Sequence, residues 1–94
     1  MIRVLIDRHV ANEMEQSYQT MLRDIRREAV HAEGYISGET LRDHDDPHHY
    51  VIISTWRSRH DWQQWAAASD RRTAMERMRP LLAESEHVTV LEPV

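Results

Sequence analysis

The order of hydrophobic patterns along this chain predicts an α+β fold of the split βαβ, or ferredoxin-like, type. The expected order is β-α-β-β-α-α-β around an antiparallel four-stranded sheet. Three stretches carry that expectation. Residues 2 to 9 alternate in the period of a strand, residues 14 to 32 carry an apolar stripe in the period of a helix, and YVIISTW runs directly into a capped helix. The last stretch, Tyr50 to Trp65, holds all three tryptophans of the chain, so any pocket is expected to be built there.

Taken in order, Ile2, Val4 and Ile6 share one face of the first strand, and Arg3, Leu5, Asp7 and His9 the other. Asn12 offers an N-cap with Glu15 three residues on. Met14, Tyr18, Met21, Leu22, Ile25, Ala29 and Ala32 then follow at steps of three and four, which predicts a helix of about twenty residues with Gly34 as its left-handed C-cap. Tyr35 to Arg42 reads as the second strand. The polar DHDDPHH turn, shaped by Pro47, should make a hairpin with the third strand.

Tyr50 to Ile53 is apolar without alternation and should be covered on both faces. Ser58 with Asp61 caps the next helix, which puts Trp62, Trp65 and Ala66 on one side. A further helical piece turns Ala74, Met75 and Met78 inward until Pro80, and Val88 to Glu92 is the last strand. Right-handed crossovers place the first and third strands at the centre of the sheet. Helices can cover only one face of it. The other face is assigned Ile2, Val4, Ile6, Val51 and Ile53, and a second subunit is expected to cover them, giving a homodimer through the open sheet face.

Composition narrows the chemistry. Ninety-four residues form one domain, 1–94, at a size where a monomer buries only about 60 to 65% of its unfolded surface. With no cysteine there is no disulfide, thiolate nucleophile or cysteine-bound metal. All twelve basic residues are arginine, so no lysine Schiff base can form. Gly34 and Gly38 are the only glycines, too few for a phosphate-binding loop. A net charge of −4 argues against nucleic acid as partner. The apolar runs are too short to span a membrane. With Met1 leading straight into a strand, a cytoplasmic protein is expected.

The stretch ISTWRSRHDWQQW, the GYISGETL strand and the closing VTVLEP together resemble the antibiotic biosynthesis monooxygenase family. Its most telling part is Trp56, Ser58 and Trp62. The resemblance implies a dimeric α+β barrel and, within a family that also includes haem degraders, a cofactor-independent monooxygenase acting on a small aromatic or quinol-like compound. Haem-degrading members carry an asparagine, a tryptophan and a haem-ligating histidine where this chain has Asp7, Trp65 and Met75, so haem degradation is disfavoured. Polyketide-oxidising members carry an asparagine where this chain has Ile52; Trp56 matches, and Trp62 stands for a tyrosine.

Oxygenation without a cofactor asks for a base, a donor to the developing oxyanion and exclusion of water. Asp7 and His9 are the candidate bases, expected to share a cavity beneath the helices with Ile52, Ser54 and Trp56. Trp62, Trp65, Met75 and Tyr18 or Met21 would form its roof. No cofactor and no metal are expected, and the alternative to catalysis is a non-catalytic dimeric small-ligand-binding module that keeps the fold. Each residue also has a plain structural reading. The tryptophans can be ordinary core, Asp7 can pair with Arg3, His9 can be a solvated strand end, and the histidines at 44, 48 and 49 lack a ligand spacing. The arginines Arg71, Arg72, Arg77 and Arg79 read as a mostly solvated face from which one can reach an anionic substrate.

Overall fold

The computed structural model describes residues 1–94. Its elements run β1 (Ile2–His9), α1 (Glu15–Ala29), β2 (Tyr35–Arg42), β3 (His49–Trp56), α2 (Arg59–Ala67), α3 (Ser69–Met78), a 3-10 turn (Arg79–Leu81) and β4 (His87–Leu91). The strands pair antiparallel in the order β2-β3-β1-β4, which gives the expected ferredoxin-like α+β fold with β1 and β3 at the centre. No helix is long and apolar enough to cross a membrane.

Ser58 caps α2 as its position before Asp61 predicts: its Oγ accepts from the Asp61 backbone N–H at 3.1 Å. The start of α1 departs from expectation. Asn12 lies in a turn in which Glu13 takes φ 67°, and the helix starts three residues later with Met14 as an N-cap that offers no side-chain bond. Gly34 likewise does not cap α1, which ends at Ala29. It sits at φ 84° immediately before β2, where a Cβ would collide with the Asp61 side chain.

Which face of β1 meets the helices is the main correction to the sequence reading. Cα pairing sets Ile2 opposite Trp56, Val4 opposite Ser54 and Ile6 opposite Ile52, so these six side chains share one face. That face is the helix side. Ile2, Val4 and Ile6 form a buried cluster with Trp56 and Trp62, and Val10, Tyr18, Tyr50 and Met78 form a second. The open face therefore does not carry Ile2, Val4 and Ile6. It presents Leu5, Asp7 and His9 of β1 beside Val51 and Ile53 of β3, all half-buried, with Leu41 exposed on β2.

Asp7 and His9 thus enter a network on the open face. His49 Nε2 lies 2.8 Å from Asp7 Oδ1 and its Nδ1 lies 3.0 Å from Asp43 Oδ2. Its ring stacks on that of His9 at 4.5 Å between centroids. An imidazole bonds two carboxylates at once only as the cation, which donates from both nitrogens. The bonds to Asp43 and then to Asp7 accordingly raise the His49 pKa, and the His49 bond holds Asp43 below the usual carboxylate range.

Two outcomes follow from these local features. A raised histidine pKa in the folded state gives a contribution that is full below about pH 6.5 and is lost as pH rises through the folded value. The depressed Asp43 contributes above about pH 4, and that part is lost as pH falls through its folded value. Urea midpoints are therefore expected to be higher at about pH 5.5 than at about pH 8.5, with His49→Gln flattening the difference. Gly34→Ala should lower stability by about 2 kcal/mol through its left-handed backbone, and more if Asp61 cannot withdraw. A urea midpoint that falls at constant slope would be the signature.

Candidate functional site

Beneath the helices, the β1–β3 face leaves a cavity of about 60 Å3. Ile52, Ser54 and Trp56 of β3 and Ile6 and Arg8 of β1 supply its floor, Leu22 and Ile25 of α1 and Trp62 and Trp65 of α2 its roof, and Tyr35 and Thr40 of β2 one side. The aromatic walls hold one another. Trp56 meets Trp62 edge-on at 5.6 Å and Tyr35 at 5.4 Å, each pair worth about 0.5–1.5 kcal/mol beyond its buried area. Trp56 is 1% exposed, and its indole N–H donates to Ser54 Oγ at 3.0 Å. The cavity is thus offered the ring of Trp56 and not its donor.

The polar part of the cavity comes from arginines. Arg8 continues the buried series Ile2, Val4, Ile6 and is 2% exposed, and Arg71 of α3 is 9% exposed. Burying a guanidinium is costly unless it is paired. Glu86, just before β4, supplies the pairing for both: Arg8 Nε donates to Oε1 at 2.9 Å and Arg71 Nη2 to Oε2 at 3.3 Å. Arg8 also donates to the Tyr18 hydroxyl at 3.3 Å and lies 3.6 Å from Met75 Sδ.

The Arg71 guanidinium has no protein hydrogen bond beyond Glu86 and lies 5.3 Å from the Trp62 ring centroid. Burial, helped by the charge of Arg8, lowers the Arg71 pKa, while Glu86 opposes this. Burial raises the Tyr18 pKa, against the pull of Arg8. An arginine remains protonated through shifts of this kind. Two cations therefore share one carboxylate at the edge of an apolar space.

The cavity opens between α1 and β2. There Arg26 Nη2 donates to Thr40 Oγ1 at 2.8 Å, an exposed bond across the opening. A space of about 60 Å3 holds a few waters, whereas benzene occupies engineered cavities of about 150 Å3. Admission of a ring therefore requires this space to widen, and Arg26, Thr40 and the half-buried Trp65 are the side chains at its rim.

Of the residues expected at the site, Ile52, Ser54, Trp56, Trp62 and Trp65 line the cavity together. Tyr18 and Met75 do not line it; both lie behind Arg8, one through its hydroxyl and the other through its sulfur. Met75, at the position matched to a haem ligand, is thus turned to a guanidinium. Asp7 and His9 lie on the opposite face of the sheet and are no part of the cavity. The groups that sequence reasoning missed are Arg8 and Glu86, along with the burial of Arg71. For Arg8 the signal was present, because it is the fourth member of the alternating series that begins with Ile2.

The sequence profile described as antibiotic biosynthesis monooxygenase matches residues 1–77. No curated protein matches the chain significantly. Among solved structures, an antibiotic biosynthesis monooxygenase superposes with a TM-score of 0.90 at 16% identity, covering 100% of this chain and 99% of its own. A conserved protein from Methanosarcina mazei Go1 gives 0.93 at 15% identity, covering 99% and 92%. SnoaB, a cofactor-independent oxygenase from Streptomyces nogalater, gives 0.87 at 13% identity, covering 98% and 91%. At these identities the likeness establishes the fold alone. Because the profile spans most of the chain, through the strand that ends in Trp56 and the helices that roof the cavity, the protein belongs to the antibiotic biosynthesis monooxygenase family.

Proposed function

We propose that this protein is a cofactor-independent monooxygenase whose substrate is a small aromatic or quinol-like compound bound between the sheet and the helices. The observation that carries this reading is the meeting of an aromatic-walled apolar cavity with the buried Arg8–Glu86–Arg71 cluster. Family membership supports the reaction class, and the description of SnoaB as a cofactor-independent oxygenase is in keeping with it.

In such a reaction the electron-rich substrate anion itself gives electrons to oxygen. One oxygen atom enters the substrate and the other leaves as water. The protein has three tasks: to hold the ring, to stabilise negative charge on the substrate oxygen, and to keep bulk water out. Trp56, Trp62 and Trp65 serve the first. Arg71, with donors left over from its bond to Glu86, serves the second. The bond between Arg26 and Thr40 serves the third by closing the opening over a bound ring.

Oxygen uptake measured with a panel of monocyclic and bicyclic quinols tests the reaction. Turnover is expected with at least one of them, and Arg71→Leu should lower kcat/KM roughly 100-fold, the scale of losing one oxyanion donor. Wild-type turnover by Arg71→Leu would remove Arg71 from the chemistry. Trp65→Ala should raise KM more than it lowers kcat, as expected of a wall that binds the ring.

The second part of the proposal is a homodimer through the open sheet face, where Leu5, Val51, Ile53 and Leu41 form an apolar patch that helices do not cover. Light scattering should give the dimer mass for the wild type and the monomer mass for Ile53→Glu, since a buried unpaired carboxylate opposes the contact. A monomeric wild type at micromolar concentration would sink this part and leave the cavity reading untouched.

A further inference from the structure

The side chains around the cavity include no histidine and no aspartate, and their one carboxylate, Glu39, belongs to the opposite face. Arg8 of β1, Arg26 of α1 and Arg71 of α3 are cations, and Ser54, Thr40 and Tyr35 carry hydroxyls. Glu86 accepts from both buried guanidiniums, and Tyr18 is bound to Arg8. Glu39, at the β2 side of the opening, stands opposite Ile53 and so belongs to the open-face register. The expected bases, Asp7 and His9, are beyond the sheet. A neutral phenol entering this space would find no acceptor for its proton, and the buried charge beside it sums to one excess positive charge, two guanidiniums against one carboxylate.

We infer that the cavity takes its ligand as a monoanion, the ionised form of an acidic phenol or enol, and that Glu86 sets this selection by neutralising one of the two arginines. This deepens the reading of the cavity as an aromatic substrate site and rests on it. The ligand O–H bond breaks in solution before entry, the electron pair stays on the ligand oxygen and the proton passes to solvent water; no side chain is protonated. A neutral ligand leaves the excess positive charge uncompensated in an apolar space. A dianion replaces it with an excess negative one. The monoanion alone balances it. The oxygen is expected at Arg71, which gives a single N–H to the protein, whereas Arg8 gives three.

The probes for this selection are p-nitrophenol, whose absorbance reports its own ionisation, and nitrobenzene, which has the same ring without the acidic oxygen. Binding of each is read from quenching of tryptophan fluorescence. An opposite charge at contact distance lowers a pKa by roughly 1–3, so bound p-nitrophenol should ionise at a pH lower by that amount than in solution. The phenolate should bind at least about tenfold more tightly than nitrobenzene, one pKa unit being a factor of ten. Glu86→Gln should widen that ratio. Should loss of its charge prevent folding, Arg71→Leu decides alone, because it keeps the Arg8–Glu86 pair; in that variant the ratio should fall to parity. Equal affinity of the wild type for both probes would overturn the monoanion inference while leaving an aromatic site in place, and so would a preference that survives in Arg71→Leu. Failure of both probes to bind would overturn the aromatic site together with the inference.

Discussion

The carboxylate of Glu86 ties the central strand to the last helix by charge. Arg8 lies on the central strand and Arg71 on the last helix, and each spends bonds on an opposite oxygen of the same carboxylate. Two guanidiniums packed among tryptophan, tyrosine and methionine side chains would otherwise face a desolvation cost of several kcal/mol each. With the carboxylate present, α3 is fixed over β1, Tyr18 and Met75 are drawn against Arg8, and Arg71 is brought near the face of Trp62. The cavity is what remains between that polar cluster and the aromatic wall of β3 and α2. Its shape depends on charge pairing as much as on apolar packing.

The architecture was legible because each element carries its own period. The alternation of β1, the helical stripe of α1, the Ser58–Asp61 cap and the polar hairpin turn identify the elements, and crossover handedness then orders the strands. What alternation cannot supply is which face turns inward. A two-residue period sorts side chains into two sets and is silent on which set meets the helices. Both sets on β1 contain apolar and charged residues, Ile2, Val4, Ile6 and Arg8 in one and Leu5 and Asp7 in the other. Only the pairing with β3 and the packing under the helices settle it, and they turn Arg8 inward and Asp7 and His9 outward.

Pairwise logic explains the remaining gap at the site. Trp56, Trp62 and Trp65 are large, close in sequence and on consecutive elements, so their meeting could be read from spacing. Glu86 and Arg8 are 78 positions apart, and no local pattern links them. A lone arginine among the four of the last helical piece gives no sign that it is the buried one until α3 is laid over the sheet. Long-range charge pairing is set by tertiary structure, which is why the apolar half of the cavity was legible and its polar half was not.

The two faces of the sheet are nevertheless not independent, because alternation makes close neighbours in sequence into residents of opposite faces. Arg8 is flanked by Asp7 and His9, and those two are tied to His49 through a hydrogen bond and a ring stack. His49 itself immediately precedes Tyr50, which packs against Tyr18 with ring centroids 4.8 Å apart. The strand segments that hold the arginine cluster are therefore held from behind by a histidine whose charge changes with pH. Loss of the His49 proton weakens its bonds to Asp7 and Asp43, while the backbone that carries Arg8 stays held in the ladder to β3. The position of the cavity's positive charge is thus set by the pairing of β1 in the sheet and by Glu86, while the His49 network on the other face bears on the stability of the same strands through the two-residue period that sorts their side chains.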